Sequence, residues 1–118
     1  LLIGAPNVHP GSAFVGAGYV LFGRSDGFAP VTTLGGTDAP ALRLVGEVAN
    51  GFTGSAVSAA GDVNGDGLDD VIIGAYGAAP NGAQSGSTYL VLGTSSAATP
   101  PNQSVALNGV ATRYDGQL

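Results

Sequence analysis

The chain has 118 residues, enough for one ordinary domain or two very small ones. Glycine fills 21 positions, charged residues are 9% and hydrophobic residues 44%, a balance that excludes both a coiled coil and a disordered chain. Eight acids against three arginines and no lysine give a formal net charge of −5, so no nucleic-acid partner is expected. The absence of cysteine removes disulfides, thiolate metal sites and thiol nucleophiles. No apolar run is long enough to span a bilayer, so no membrane span is expected either.

In chain order, 1–5 (LLIGA) is a continuous apolar run, the pattern of a strand buried on both faces. Strands are also expected at 18–22, 41–45, 55–60, 71–75, 88–92 and 104–107, separated by turns rich in Gly, Pro, Asn and Asp. The small residues of 55–60 read as a strand in close quarters. No segment carries an apolar stripe of helical period, so essentially no helix is predicted. Prolines 6, 10, 80, 100 and 101 fall between the expected strands, where a missing N–H costs least.

The chain repeats itself. Residues 1–25 align without a gap on 71–95, an offset of 70, with nine of 25 positions identical. Chance at this composition gives roughly two or three, so the repeat is real. The match then moves to an offset of 63, pairing Leu44 and Gly46 with Leu107 and Gly109. It moves again to 62, where Phe52-Thr53-Gly54 falls on Tyr114-Asp115-Gly116. The length differences sit in the polar stretches 26–39 and 96–102, which read as loops.

Four of the eight acids lie in nine residues, at Asp62, Asp66, Asp69 and Asp70. Taking Asp62 as position 1, oxygen-bearing side chains fall at 1, 3, 5 and 9: Asp62, Asn64, Asp66 and Asp70. Gly65 and Gly67 alternate with them and let the backbone curl. With the main-chain carbonyl of Leu68, these residues supply most of the oxygen shell that Ca²⁺ prefers. Mg²⁺ suits the set less well, and zinc lacks its nitrogen and sulfur ligands. The competing reading is a solvated, Asx-rich turn, against which stands the mutual repulsion of so many close carboxylates. Asp69, at position 8, reads as surface charge. An EF-hand is excluded, because its position 12 would be Ile73 inside an apolar run.

Gly51-Phe52-Thr53-Gly54, then GDVNGDGLDD, then VIIGA, resembles the FG-GAP repeat of integrin α-subunit β-propellers and of many bacterial exported proteins. The likeness is strongest over 61–75 and departs in three places. Phe-Thr-Gly stands for Phe-Gly, Asn64 for a common Asp, and Tyr76 for the Pro of the GAP motif. The resemblance implies an all-β fold of about two four-stranded antiparallel β-propeller blades, an incomplete propeller or a fragment of one. It places Ca²⁺ between the first and second strands of a blade, on Asp62, Asn64, Asp66, Leu68 and Asp70. In that frame 1–50 is a partial blade, 51–111 a complete blade with its calcium loop at 62–70, and 112–118 the start of a further one. A ring needs typically four to eight blades, more than this chain can supply at its observed period.

Catalytic groups are scarce. His9, the only histidine, sits in a turn and its repeat partner is Ala79. The serine-rich stretches lack a nucleophile elbow, and the glycines of GAGYVLFG lack the strand-to-helix context of a nucleotide loop. Arg24, Arg43 and Arg113 read as isolated and solvated. The expectation is a non-enzymatic, calcium-binding segment with a structural or adhesive role in an extracellular or cell-surface protein. Its expected partners are neighbouring propeller blades or other copies of the chain, with a protein or carbohydrate ligand in addition. Two alternatives stay open: a self-assembling subunit of an extracellular filament or ring, and the scaffold part of a larger secreted enzyme.

Overall fold

A computed structural model describes residues 1–23, 25–27, 34, 41–95 and 104–117. The expected loops at 26–39 and 96–102 fall largely outside these residues, as do Arg24, Pro100 and Pro101. Among these residues eight strands follow in order: β1 (Leu2–Ala5), β2 (Ala17–Leu21), β3 (Ala41–Val45), β4 (Thr53–Gly61), β5 (Asp70–Ala75), β6 (Ser87–Val91), β7 (Ser104–Ala106) and β8 (Ala111–Asp115). The one helical element among the described residues is a single 3₁₀ turn, Leu107–Gly109. The architecture is all-β. The strands form two four-stranded sheets, ordered β1-β2-β3-β7 and β4-β5-β6-β8, consistent with partial propeller blades.

Three strands of each sheet, β1-β2-β3 and β5-β6-β8, are copies in register, whereas β7 and β4 have no counterpart among the described residues. Ile3 pairs with Tyr19 as Ile73 pairs with Tyr89, and Tyr19 pairs with Arg43 as Tyr89 pairs with Arg113. The loop hydrogen bonds repeat as well. Gly46 N–H donates to Gly16 O at 3.0 Å, and Gly116 N–H donates to Gly86 O at 2.9 Å. The offset of 70 therefore holds through the third strand, where Ala41, Arg43 and Gly46 match Ala111, Arg113 and Gly116. The shifts to 63 and 62 expected from the sequence are not structural. Leu44 and Leu107, paired by that shift, instead pack in one core, each 0% exposed.

That core explains why the last strands fall differently from expectation. Residues 104–107 were expected to complete the second sheet, with 112–118 opening a further blade. Instead β7 lies parallel beside β3, and the chain then turns so that Leu107 is buried between the sheets. The free edge of β6 is taken by β8, antiparallel over five residues. Burying a whole Leu side chain contributes roughly 1.5–3 kcal/mol.

One face of the first sheet (Val20, Leu42 and Leu44) packs against Ile73, Tyr89 and Val91 of the second. Glycines set the approach. A Cβ on Gly18 would strike the Ile73 side chain, and one on Gly4 would strike the Gly54 carbonyl. Gly54 itself holds φ +88°, and β4 has register breaks on either side of its central pairing with β5. The close quarters expected along 55–60 are confined to Thr53 and Gly54; Ser55, Ala56, Ser58 and Ala59 are exposed because β4 is an edge strand. The opposite face of the first sheet (Ala17, Tyr19, Leu21 and Ala41) is buried too, with Leu34 against it.

Candidate metal centre

The acidic loop joins β4 to β5, closed at its base by the Gly61–Asp70 pair. Gly65 and Gly67 hold φ +76° and +85°, left-handed conformations that few other residues adopt. This curl turns backbone N–H groups inward onto the side chains. Asp62 Oδ1 accepts from Gly65 N at 2.7 Å and Asp66 N at 3.0 Å, and its Oδ2 accepts from Gly67 N at 2.8 Å. Asp66 Oδ1 accepts from Leu68 N at 2.9 Å, and Asp66 Oδ2 accepts from Asn64 Nδ2 at 2.8 Å. Asn64 Oδ1 accepts from Asp66 N at 3.2 Å. Asp69 is exposed, in the place expected of surface charge.

Asp70 differs from the others. It is 0% exposed, and its two oxygens reach different parts of the chain. Oδ2 accepts from Val63 N at 2.8 Å within the loop, and Oδ1 accepts from Gly93 N at 2.7 Å just beyond β6. Its carboxylate thereby ties the loop to the neighbouring strand.

The donor chemistry of Asp62, Asn64, Asp66, Asp70 and the Leu68 carbonyl is oxygen throughout, which fits a hard cation. The carboxylates themselves are turned onto loop amides. Among the described residues, no group of three or more Asp, Glu, His or Cys side chains is arranged around a common point for a metal ion.

A second polar cluster joins the sheets. Tyr89, 0% exposed, donates from its hydroxyl to Glu47 Oε1 at 3.0 Å. Arg113 Nη1 donates to the same oxygen at 2.9 Å, while its Nη2 donates to Asp115 Oδ2 at 3.0 Å. Ser87 Oγ donates to Asp115 Oδ1 at 2.8 Å. Burial first, and the Glu47 carboxylate second, push the Tyr89 phenol up to about 12. Arg113 is raised above its ordinary value by its bonds to Glu47 and Asp115. The expectation that Arg113 is isolated is thus corrected, because Glu47 follows β3 and is delivered by the packing of one sheet on the other.

Residues 53–91, from the start of β4 to the end of β6, match the FG-GAP repeat family. The chain carries an FG-GAP repeat. No curated protein sequence matches the chain. The FG-GAP span contains the whole acidic loop and three strands of the second sheet, and ends before β8.

An aromatic row that the sequence reading missed enters the FG-GAP span from outside, with Tyr76 inside it and His9, Phe14 and Phe52 beyond it. His9 lies 5.4 Å from Phe14, Phe14 stacks on Phe52 at 5.9 Å, and Phe52 stacks on Tyr76 at 5.2 Å. Phe52, at φ +51°, is held in a left-handed conformation unusual for a bulky residue. The Tyr89–Glu47–Arg113 cluster was also missed, although Tyr19/Tyr89 and Arg43/Arg113 at one constant offset were a signal for it.

Proposed function

We propose that the chain is a calcium-binding β-propeller segment with a structural or adhesive role in an extracellular or cell-surface protein, and that it performs no catalysis of its own. The observation that carries this reading is the loop GDVNGDGLDD, which lies inside the FG-GAP span and offers only oxygen donors. Asp62, Asn64, Asp66, Asp70 and the Leu68 carbonyl would hold the ion. Bound Ca²⁺ would neutralise carboxylates that otherwise repel across a short hairpin. Asp70 would do double service, since its bonds to Val63 and Gly93 already fasten the loop to the blade.

Neighbouring blades or further copies of the chain are the proposed partners. The face of the first sheet that receives the second has a counterpart 70 residues later: Ile72, Thr88, Leu90, Thr112 and Tyr114, of which Thr112 and Tyr114 are exposed. No helix of the described residues is long and apolar enough to cross a membrane. The extracellular setting is proposed from the FG-GAP likeness.

Calorimetry with Ca²⁺, together with melting in Ca²⁺ and in chelator, tests the reading. Binding at a Kd of roughly 10⁻⁶–10⁻³ M is expected. At a hundredfold excess over Kd it should add about 2.7 kcal/mol of stability. An unchanged melting temperature in chelator, or normal Ca²⁺ binding by Asp66→Ala, would overturn it.

A further inference from the structure

The likeness of the two sheets extends to the Tyr89–Glu47–Arg113 cluster. Tyr19 lies opposite Arg43 as Tyr89 lies opposite Arg113, so each sheet sets a phenol beside a guanidinium on one face. In the second sheet both groups converge on one carboxylate oxygen, Glu47 Oε1. In the second sheet Arg113 Nε also pairs with Asp115 Oδ1 at 2.9 Å, whereas in the first sheet Val45 stands in the place of Asp115 and Arg43 Nε is buried with no hydrogen-bond partner among the described residues. A sealed donor left unpaired is uncommon in folded proteins and calls for an acceptor. Arg43 as a whole is half-buried, which leaves a side from which an acceptor can reach it.

We propose that Tyr19 and Arg43 form a second carboxylate-binding site, taking an acidic side chain of a neighbouring blade as Tyr89 and Arg113 take Glu47. The proposal rests on the propeller reading but not on calcium. Leu34 already packs on the apolar part of this face, so the recognition left to a partner is polar. The occupant is a blade other than a second copy of this chain. The counterpart of Glu47, 70 residues on, is Gln117, and a second copy docked in the same manner would present an uncharged amide. A carboxylate makes the stronger, charge-assisted bond to Arg43, so the site favours an acidic blade over self-association.

Two measurements on the full chain test this, each run in Ca²⁺ and in chelator so that a failure of the calcium reading leaves them interpretable. The first is sedimentation equilibrium of the wild type, Gln117→Glu, and Gln117→Glu combined with Arg43→Gln. Gln117→Glu restores the charge on a second copy and should strengthen association roughly tenfold, and Arg43→Gln should cancel that gain. No gain, or a gain that survives Arg43→Gln, overturns the proposal. The second needs no variant that might misfold: acetate is titrated into the wild-type chain and the Arg43 Nε–H signal is followed by NMR. A saturable shift supports the site, and a shift that only rises linearly with acetate overturns it.

Discussion

The Tyr89 hydroxyl meets Glu47 Oε1 at 3.0 Å, although the two residues lie 42 positions apart. Glu47 follows the third strand of the first sheet, and Tyr89 stands in the middle of the second. A buried phenol thus reports on whether the sheets are packed together. Glu47→Ala leaves that hydroxyl and Arg113 without their shared acceptor. A loss of about 1–3 kcal/mol is expected. Most of it should come from Tyr89, because the Arg113 side chain is 42% exposed and its ion pair is screened. Urea unfolding of the wild type, Glu47→Ala and Glu47→Gln checks this, with Gln, which keeps an acceptor, falling between the others.

The same contact predicts a response to alkali. Tyr89 rises from 10.0 to about 12 on folding, so the folded state holds its proton more tightly. The stabilising contribution is fully present below pH 10 and is lost as pH rises through 12. Two units correspond to about 2–3 kcal/mol. Stability measured from pH 9 upward should fall across that window, and Tyr89→Phe should flatten this part of the fall. A Tyr89→Phe profile parallel to the wild type would refute the assignment.

Asp70 and Asp66 should separate in their effects. Asp70→Asn places an amide NH₂ against Val63 N–H or Gly93 N–H, both of which need an acceptor in a buried setting. A cost of about 1–3 kcal/mol is expected already in chelator, where no ion is bound. Asp66→Ala removes bonds in an exposed loop and should chiefly remove whatever stability depends on Ca²⁺. Paired melts of the two variants in both buffers decide it; an Asp70→Asn variant as stable as the wild type in chelator would show that Asp70 has no separate structural role.

Two glycines with similar dihedrals should respond differently to alanine. Gly54 holds φ +88° and a Cβ there would run into the Ala17 carbonyl of the other sheet. Gly65 holds φ +76° with nothing within 4 Å. Gly65→Ala should cost only backbone strain, about 1 kcal/mol, whereas Gly54→Ala must also part the sheets and should cost about 2–4 kcal/mol. Thermal melting of both variants measures the difference.

The strands and the acidic loop were legible in the sequence because their causes are local. An apolar run such as VIIGA can be satisfied only where both faces are covered, and alternating Asp, Asn and Gly commit GDVNGDGLDD to a tight curl whatever surrounds it. Phe52, Tyr76, Glu47 and Arg113 gave no comparable local sign, since each gains its meaning from a residue far away in the chain. The choice between 104–107 and 111–115 for the place beside β6 was likewise not local. Both segments can form a strand, and the outcome turned on Leu107, whose burial between the sheets carries its segment away from β6 and leaves that edge to β8. Asp70 was legible as one carboxylate of a spaced set, but its enclosure between Val63 and Gly93 exists only once β6 lies beside β5. Spacing along the chain determined which oxygens the loop could offer, whereas desolvation and long-range packing decided which of them also hold the fold together.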